Sequence, residues 1–182
     1  MSRLIGRGLA RWVLALLVAA ALAGVAWGLL ADPPRLEVRD YGTVLPESSS
    51  ARAFGVEMLF IALGFTLCAV WAAVLGWRRA DRGVLLVPIV IVASAIASLL
   101  AWRIGVPLGP DDPAGLDAAD LAVGQTVPLP LAVESFAAFL TWPIGGLLGL
   151  VLATWLHDGP RRDADGRPRR VTNASVPPSS RP

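Results

Sequence analysis

Four stretches of the chain, Trp12 to Ala31, Met58 to Trp77, Gly83 to Trp102 and Ser135 to Leu156, contain no Asp, Glu, Lys or Arg, although such residues crowd the segments between them. At about 1.5 Å of rise per residue, each run is about 30 Å long as a helix, which matches the hydrocarbon thickness of a bilayer. The pattern predicts an all-α membrane protein, a bundle of four transmembrane helices over 12–31, 58–77, 83–102 and 135–156. External loops 32–57 and 103–134, a basic arm 1–11 and a tail 158–182 complete the chain. Composition agrees: 55% of residues are hydrophobic and 16% charged, with mean hydropathy +0.61, whereas about a quarter of a soluble domain is charged. The loops are too short to bury a large core of their own.

The division of charge predicts orientation. All sixteen basic residues are Arg. Arg3, Arg7 and Arg11, then Arg78, Arg79 and Arg82, and finally six in the tail fall on one side, against Arg35, Arg39, Arg52 and Arg103 on the other. Short loops rich in positive charge stay in the cytoplasm, so both termini are expected inside the cell membrane and the two long loops outside. Cleavage of the first run as a signal peptide at Ala26-Trp27-Gly28 is the rival reading, but a signal core spans about 7 to 15 residues and this run is longer. The Arg-, Pro- and Ser-rich tail is expected to be disordered. Its Arg161, Arg162, Arg167, Arg169 and Arg170 would be drawn to anionic lipid headgroups at about 1 kcal/mol each. Nucleic acid is not an expected partner, because no aromatic residue interleaves with these arginines.

Within the spans, aromatic and small residues predict placement. Trp12, Trp77, Trp155, Trp27 and Trp102 lie near span ends and read as interfacial anchors, while the deeper Trp71 and Trp142 read as packing between helices. Gly24 with Gly28, Gly145 with Gly149, Ala93 with Ala97 and Ser94 with Ser98 are each four apart, a spacing that lets a second backbone approach closely. Packing inside the chain and dimerisation through Gly24 and Gly28 both fit that spacing. Pro88 and Pro143 fall inside spans and predict kinks.

Chemistry is conspicuous by what the spans lack. Ion-coupled transporters and voltage sensors place ionisable groups at mid-membrane depth, and this chain has none there. Glu57, Arg103 and Glu134 stand at external span ends, where they either reach headgroups and water or gather into a polar cluster between helices. A single Cys68 and a single His157, far apart, build neither a zinc site nor a nucleophile pair, so no metal and no cofactor is expected. Ser48-Ser49-Ser50 reads as loop. Asp111-Asp112, with Asp117 and Asp120, reads as solvated loop carboxylates. A faint internal echo pairs Val56-Glu57 with Val133-Glu134 and Ala26-Trp27 with Ala101-Trp102, which points to two parallel copies of a span, loop, span unit.

The external loops carry strand signals. Leu36-Glu37-Val38-Arg39 alternates apolar and charged residues, Asp40-Tyr41-Gly42 supplies a turn, and Thr43-Val44-Leu45 returns. In the second loop Leu116 to Leu121 reads as a helical turn or two, and Thr126 to Val133 as an extended edge segment with Pro128 and Pro130 facing outward. Together the two loops predict a small external cap.

At Ala101-Trp102-Arg103-Ile104-Gly105-Val106 followed by Leu108-Gly109-Pro110, the chain resembles a family of actinobacterial four-span membrane proteins without assigned activity. Asp32-Pro33-Pro34 with the hairpin, Glu57, Arg82-Gly83 and Trp142-Pro143 extend the resemblance over most of residues 10 to 157. It implies the four-span architecture and contributes no catalytic residue; Arg103 is its one carried feature, with no role attached. The function expected is a non-enzymatic envelope or accessory protein that engages a membrane protein, a second copy of itself or lipid. A small transporter or channel subunit is the alternative, and a lipid-modifying enzyme the third reading.

Overall fold

The computed structural model describes residues 2–39, 42–44, 46–79, 84–111 and 124–157. Four helices carry the four uncharged runs: α1 (Ser2–Leu30), α2 (Glu47–Arg78), α3 (Leu86–Gly105) and α4 (Phe136–His157). All four are long and apolar enough to cross a membrane, and the chain is a multi-pass membrane protein. Helix α1 shows what such a helix requires: Leu14, Val18, Leu22 and Leu29 are exposed, yet Leu16, Ala20 and Trp27 are buried. One apolar face is thus turned to lipid and the other to neighbouring helices.

Around the bundle the order is α1, α3, α4, α2. Close backbone approach fixes two parallel pairs. A Cβ on Gly24 would strike the Ala101 backbone and one on Gly28 would lie 2.7 Å from the Gly105 carbonyl, so α1 lies against α3. Gly145 and Gly149 meet the backbone of Phe65 and Ala69 in the same way, joining α4 to α2. Lipid cannot supply the dispersion contacts that these small-residue grooves gain from a neighbouring helix. Ala93, Ala97, Ser94 and Ser98 of α3 are likewise buried in the core. The Gly24 and Gly28 groove is filled by α3 of the same chain, so a dimer through that face would have to open the bundle.

The pairs are joined across the bundle by tryptophans. Trp27 donates its indole N–H to the Val56 carbonyl at 2.9 Å, and Trp71 donates to the Trp12 carbonyl at 2.9 Å, stitching antiparallel α1 and α2 at both ends. Trp27 was expected at the headgroup level; it is 0% exposed, because Val56 offers its N–H an acceptor inside the protein. Trp77 and Trp155 are exposed, and Trp71 and Trp142 are buried between helices.

Two further expectations are corrected. Pro88 is the third residue of α3, where helix N–H groups have no intrahelical acceptor, so it breaks no bond. Only Pro143 lies inside a helix, α4, where it leaves the Phe139 carbonyl without its helical donor. Helix α2 begins at Glu47 and counts 32 residues, so it exceeds the hydrocarbon core by about 18 Å. Because its uncharged part ends at Trp77, the excess, including Ser48-Ser49-Ser50, stands on the loop side.

The loop side carries a three-stranded antiparallel sheet in the order β2 (Gly42–Val44), β1 (Arg35–Arg39), β3 (Thr126–Pro128). Val38 is opposite Thr43, and Leu36 opposite Val127. The hairpin of the first loop therefore takes an edge strand from the second, and the cap unites both halves of the chain. Val38 and Val127 are buried while Arg35, Thr126 and Pro128 face out, following the two-residue alternation of a half-buried sheet. Bonds from Val38 N to Gln125 O, Gly124 N to Val38 O and Leu129 N to Pro34 O continue the pairing at both ends. The hairpin tip at 40–41, the 112–123 segment with its expected helical turn, and the Arg82-Gly83 turn lie outside the described residues.

Candidate functional site

The loop-side end of α2 is built by local chemistry and by one tertiary bond. Glu47 puts a carboxylate in the first turn, next to the positive end of the helix dipole. Two residues on, Ser49 is 2% exposed and donates its hydroxyl to the Arg35 carbonyl at 2.7 Å. That bond ties the first turn of the helix to the start of β1. Asp32 pairs with Arg35 at 3.4 Å and Arg52 at 3.6 Å, both solvent-accessible, so these pairs orient the linker more than they stabilise it.

Between this raised part of α2 and the segment that follows β3 lies a cavity of about 540 Å³. Ala53, Phe54 and Glu57 form the wall from α2; Leu129, Pro130 and Glu134 face them. Leu131, 2% exposed, anchors the second wall in the core by packing on Gly109, where a Cβ would lie 2.7 Å from its Cγ. The structure therefore brings Glu57 and Glu134 to one groove, half-buried and exposed respectively. No basic side chain lines it among the described residues.

Arg103 is not part of this groove. It occupies the last turn of α3, where a cation is favoured by the helix dipole, and its guanidinium stacks over the Trp102 ring at 5.4 Å. The two glutamates are left without the arginine that the sequence grouped with them.

Beneath the groove the aromatic side chains form a chain. Trp27 meets Phe60 edge-on at 5.2 Å, Phe60 meets Phe139 at 5.6 Å, and Phe139 meets Trp102 at 6.0 Å. The two tryptophans of the sequence echo thus each touch one phenylalanine of the following span, and the glutamates of the echo share one groove. Two parallel span, loop, span units would give this arrangement.

Phe54, Ser49 and Leu131 escaped the sequence reading. Pro46-Glu47 was the usable signal for the first two, since a proline followed by an acidic residue marks a helix start. Leu131 had no signal that set it apart from the apolar residues around it, Leu129, Ala132 and Val133. The tail arginines Arg161, Arg162, Arg167, Arg169 and Arg170, and the carboxylates Asp112, Asp117 and Asp120, lie outside the described residues; Asp111 is exposed. No family model, no curated protein and no solved structure matches the chain.

Proposed function

We propose that the protein is a non-enzymatic envelope protein of the cell membrane, with both termini in the cytoplasm, whose outer groove holds a basic segment of a membrane protein partner. One observation carries this reading: Glu57 and Glu134 line a single cavity that no basic side chain enters among the described residues. Two carboxylates beside Phe54, Leu129 and Pro130 favour a ligand that is cationic at its tip and apolar along its stem, and an Arg or Lys side chain of a partner has that form. The alternative of a transport path between kinked spans has less to draw on, because Pro88 interrupts no helical hydrogen bond.

Gentle detergent extraction of the wild type and of the Glu57→Gln, Glu134→Gln double variant tests the proposal. A membrane protein should co-purify at fixed stoichiometry with the wild type and be lost from the double variant. An identical set of bound proteins in both preparations would overturn the reading. Solute flux in reconstituted vesicles that the double substitution abolishes would replace it with transport.

A further inference from the structure

A second cavity lies at the opposite end of the bundle, between α2 and α4 on the side of the termini. Its volume is about 190 Å³, too large for a single water, whose share of liquid volume is about 30 Å³. Small residues leave room for it: Ala73 on α2 and Ala153 on α4 both line the space, which larger side chains there would fill. Leu152, Leu156 and Trp77 form its open rim, at 51%, 51% and 59% exposure. The cleft is apolar and opens sideways between two membrane-spanning helices, so hydrocarbon fills it more favourably than water.

One basic side chain stands at its headgroup end. Arg78 lines the cleft and holds its guanidinium over the Trp12 ring at 5.2 Å. Among the described residues Arg11, Arg78 and Arg79 have no carboxylate partner. Trp77 and Arg78 form the last turn of α2, where the uncharged run ends and headgroups begin. Basic pockets between transmembrane helices at this depth select anionic headgroups, and a guanidinium meets a phosphate with two parallel donors.

We infer that the α2 and α4 cleft is a binding site for one anionic phospholipid, with an acyl chain between Ala73 and Ala153 and the phosphate on Arg78. This site is separate from the outer groove and does not depend on what that groove holds. A zwitterionic lipid would fill the same cleft, but its ammonium group would compete with Arg78 for the phosphate and bring no net charge to the basic rim.

The full chain, reconstituted in phosphatidylcholine vesicles carrying a minor fraction of dibrominated phosphatidylglycerol, or the same fraction of dibrominated phosphatidylcholine, provides the test. Fluorescence lost in Trp77→Phe relative to wild type isolates Trp77, and Trp155→Phe isolates Trp155, an exposed ring on α4 outside the cleft. Bromination of phosphatidylglycerol should quench Trp77 with an apparent affinity about fivefold above phosphatidylcholine, the worth of one basic residue at an anionic surface. Trp155 should show no such preference. Arg78→Gln, an exposed position in a terminal turn, should remove the preference at Trp77, and Ala73→Leu should lower quenching there by both lipids. Equal quenching of Trp77 by the two lipids would overturn the site. So would an equal preference at Trp77 and Trp155, which would mean general enrichment of anionic lipid around the protein, or a preference that survives Arg78→Gln.

Discussion

Trp27 and Val56 are joined by a hydrogen bond from the Trp27 indole N–H to the Val56 carbonyl, buried at 2.9 Å between α1 and the point where α2 leaves the hydrocarbon. The bond holds the two helices together directly below the groove that contains Glu57. Trp27→Phe keeps the edge contact with Phe60 and removes the donor, which should cost about 1 kcal/mol, as for one interhelical bond in a membrane protein plus the lost ring volume. Trp27→Ala removes the ring as well and should cost about 3–5 kcal/mol. Trp77→Phe, on the exposed surface, should change stability by less than about 0.5 kcal/mol. Thermal unfolding in detergent, followed by helical circular dichroism, orders the three.

Two glycines should respond in opposite directions. Gly149 lies against the Ala69 backbone, which cannot yield as a flexible side chain does, so Gly149→Leu should destabilise the α2 and α4 pair by about 1–3 kcal/mol or more. Gly55, in the raised part of α2, has nothing within 4 Å of an added Cβ. There Gly55→Ala gains helix propensity without a clash and should stabilise by about 0.5–1 kcal/mol. The same unfolding measurement gives both signs.

The spans were legible because the cost of a charge in hydrocarbon belongs to each residue alone, whatever its neighbours. Contacts between residues were not. Whether Trp27 anchors in headgroups or donates to another helix depends on the presence of Val56 across the bundle, and the two sequences would look alike. Glu57, Arg103 and Glu134 share a depth, and depth is what hydropathy reports; the direction each faces around its helix is set by packing. Arg103 sits on α3, diagonally across the bundle from α2, and its guanidinium stacks on the Trp102 ring of its own helix. Ser48-Ser49-Ser50 reads as loop from propensity, and the part-buried bond from Ser49 to the Arg35 carbonyl helps to override that preference. The cap was partly visible in its alternation, but the pairing of β3 with β1 joins Glu37 to Thr126, 89 residues apart, across α2 and α3, a register that no local pattern encodes.

Ser49→Ala should loosen the cap without loosening the bundle. The Arg35 carbonyl would lose its partner, at about 1 kcal/mol, at the end of β1 that this bond ties to α2. Amide hydrogen exchange at Leu36, Val38 and Val127 should accelerate about fivefold, while amides in the middle of α1 and α3 keep their protection. Ser48→Ala, at an exposed neighbour in the same turn, should leave all of them unchanged.

Orientation can be read with thiols because the chain has a single cysteine and the bundle hides it. Cys68 is 0% exposed, so a membrane-impermeant maleimide should leave the wild type unlabelled even after permeabilisation. Thr126, exposed on β3, and Arg11, exposed near the start of the first span, stand on opposite sides of the membrane. With arginine concentrated on the side of the termini, Thr126→Cys should label in intact cells and Arg11→Cys only once the membrane is opened. The reverse pattern would place the acidic groove in the cytoplasm, where an external partner could not reach Glu57 and Glu134, and the proposed function would fall with it.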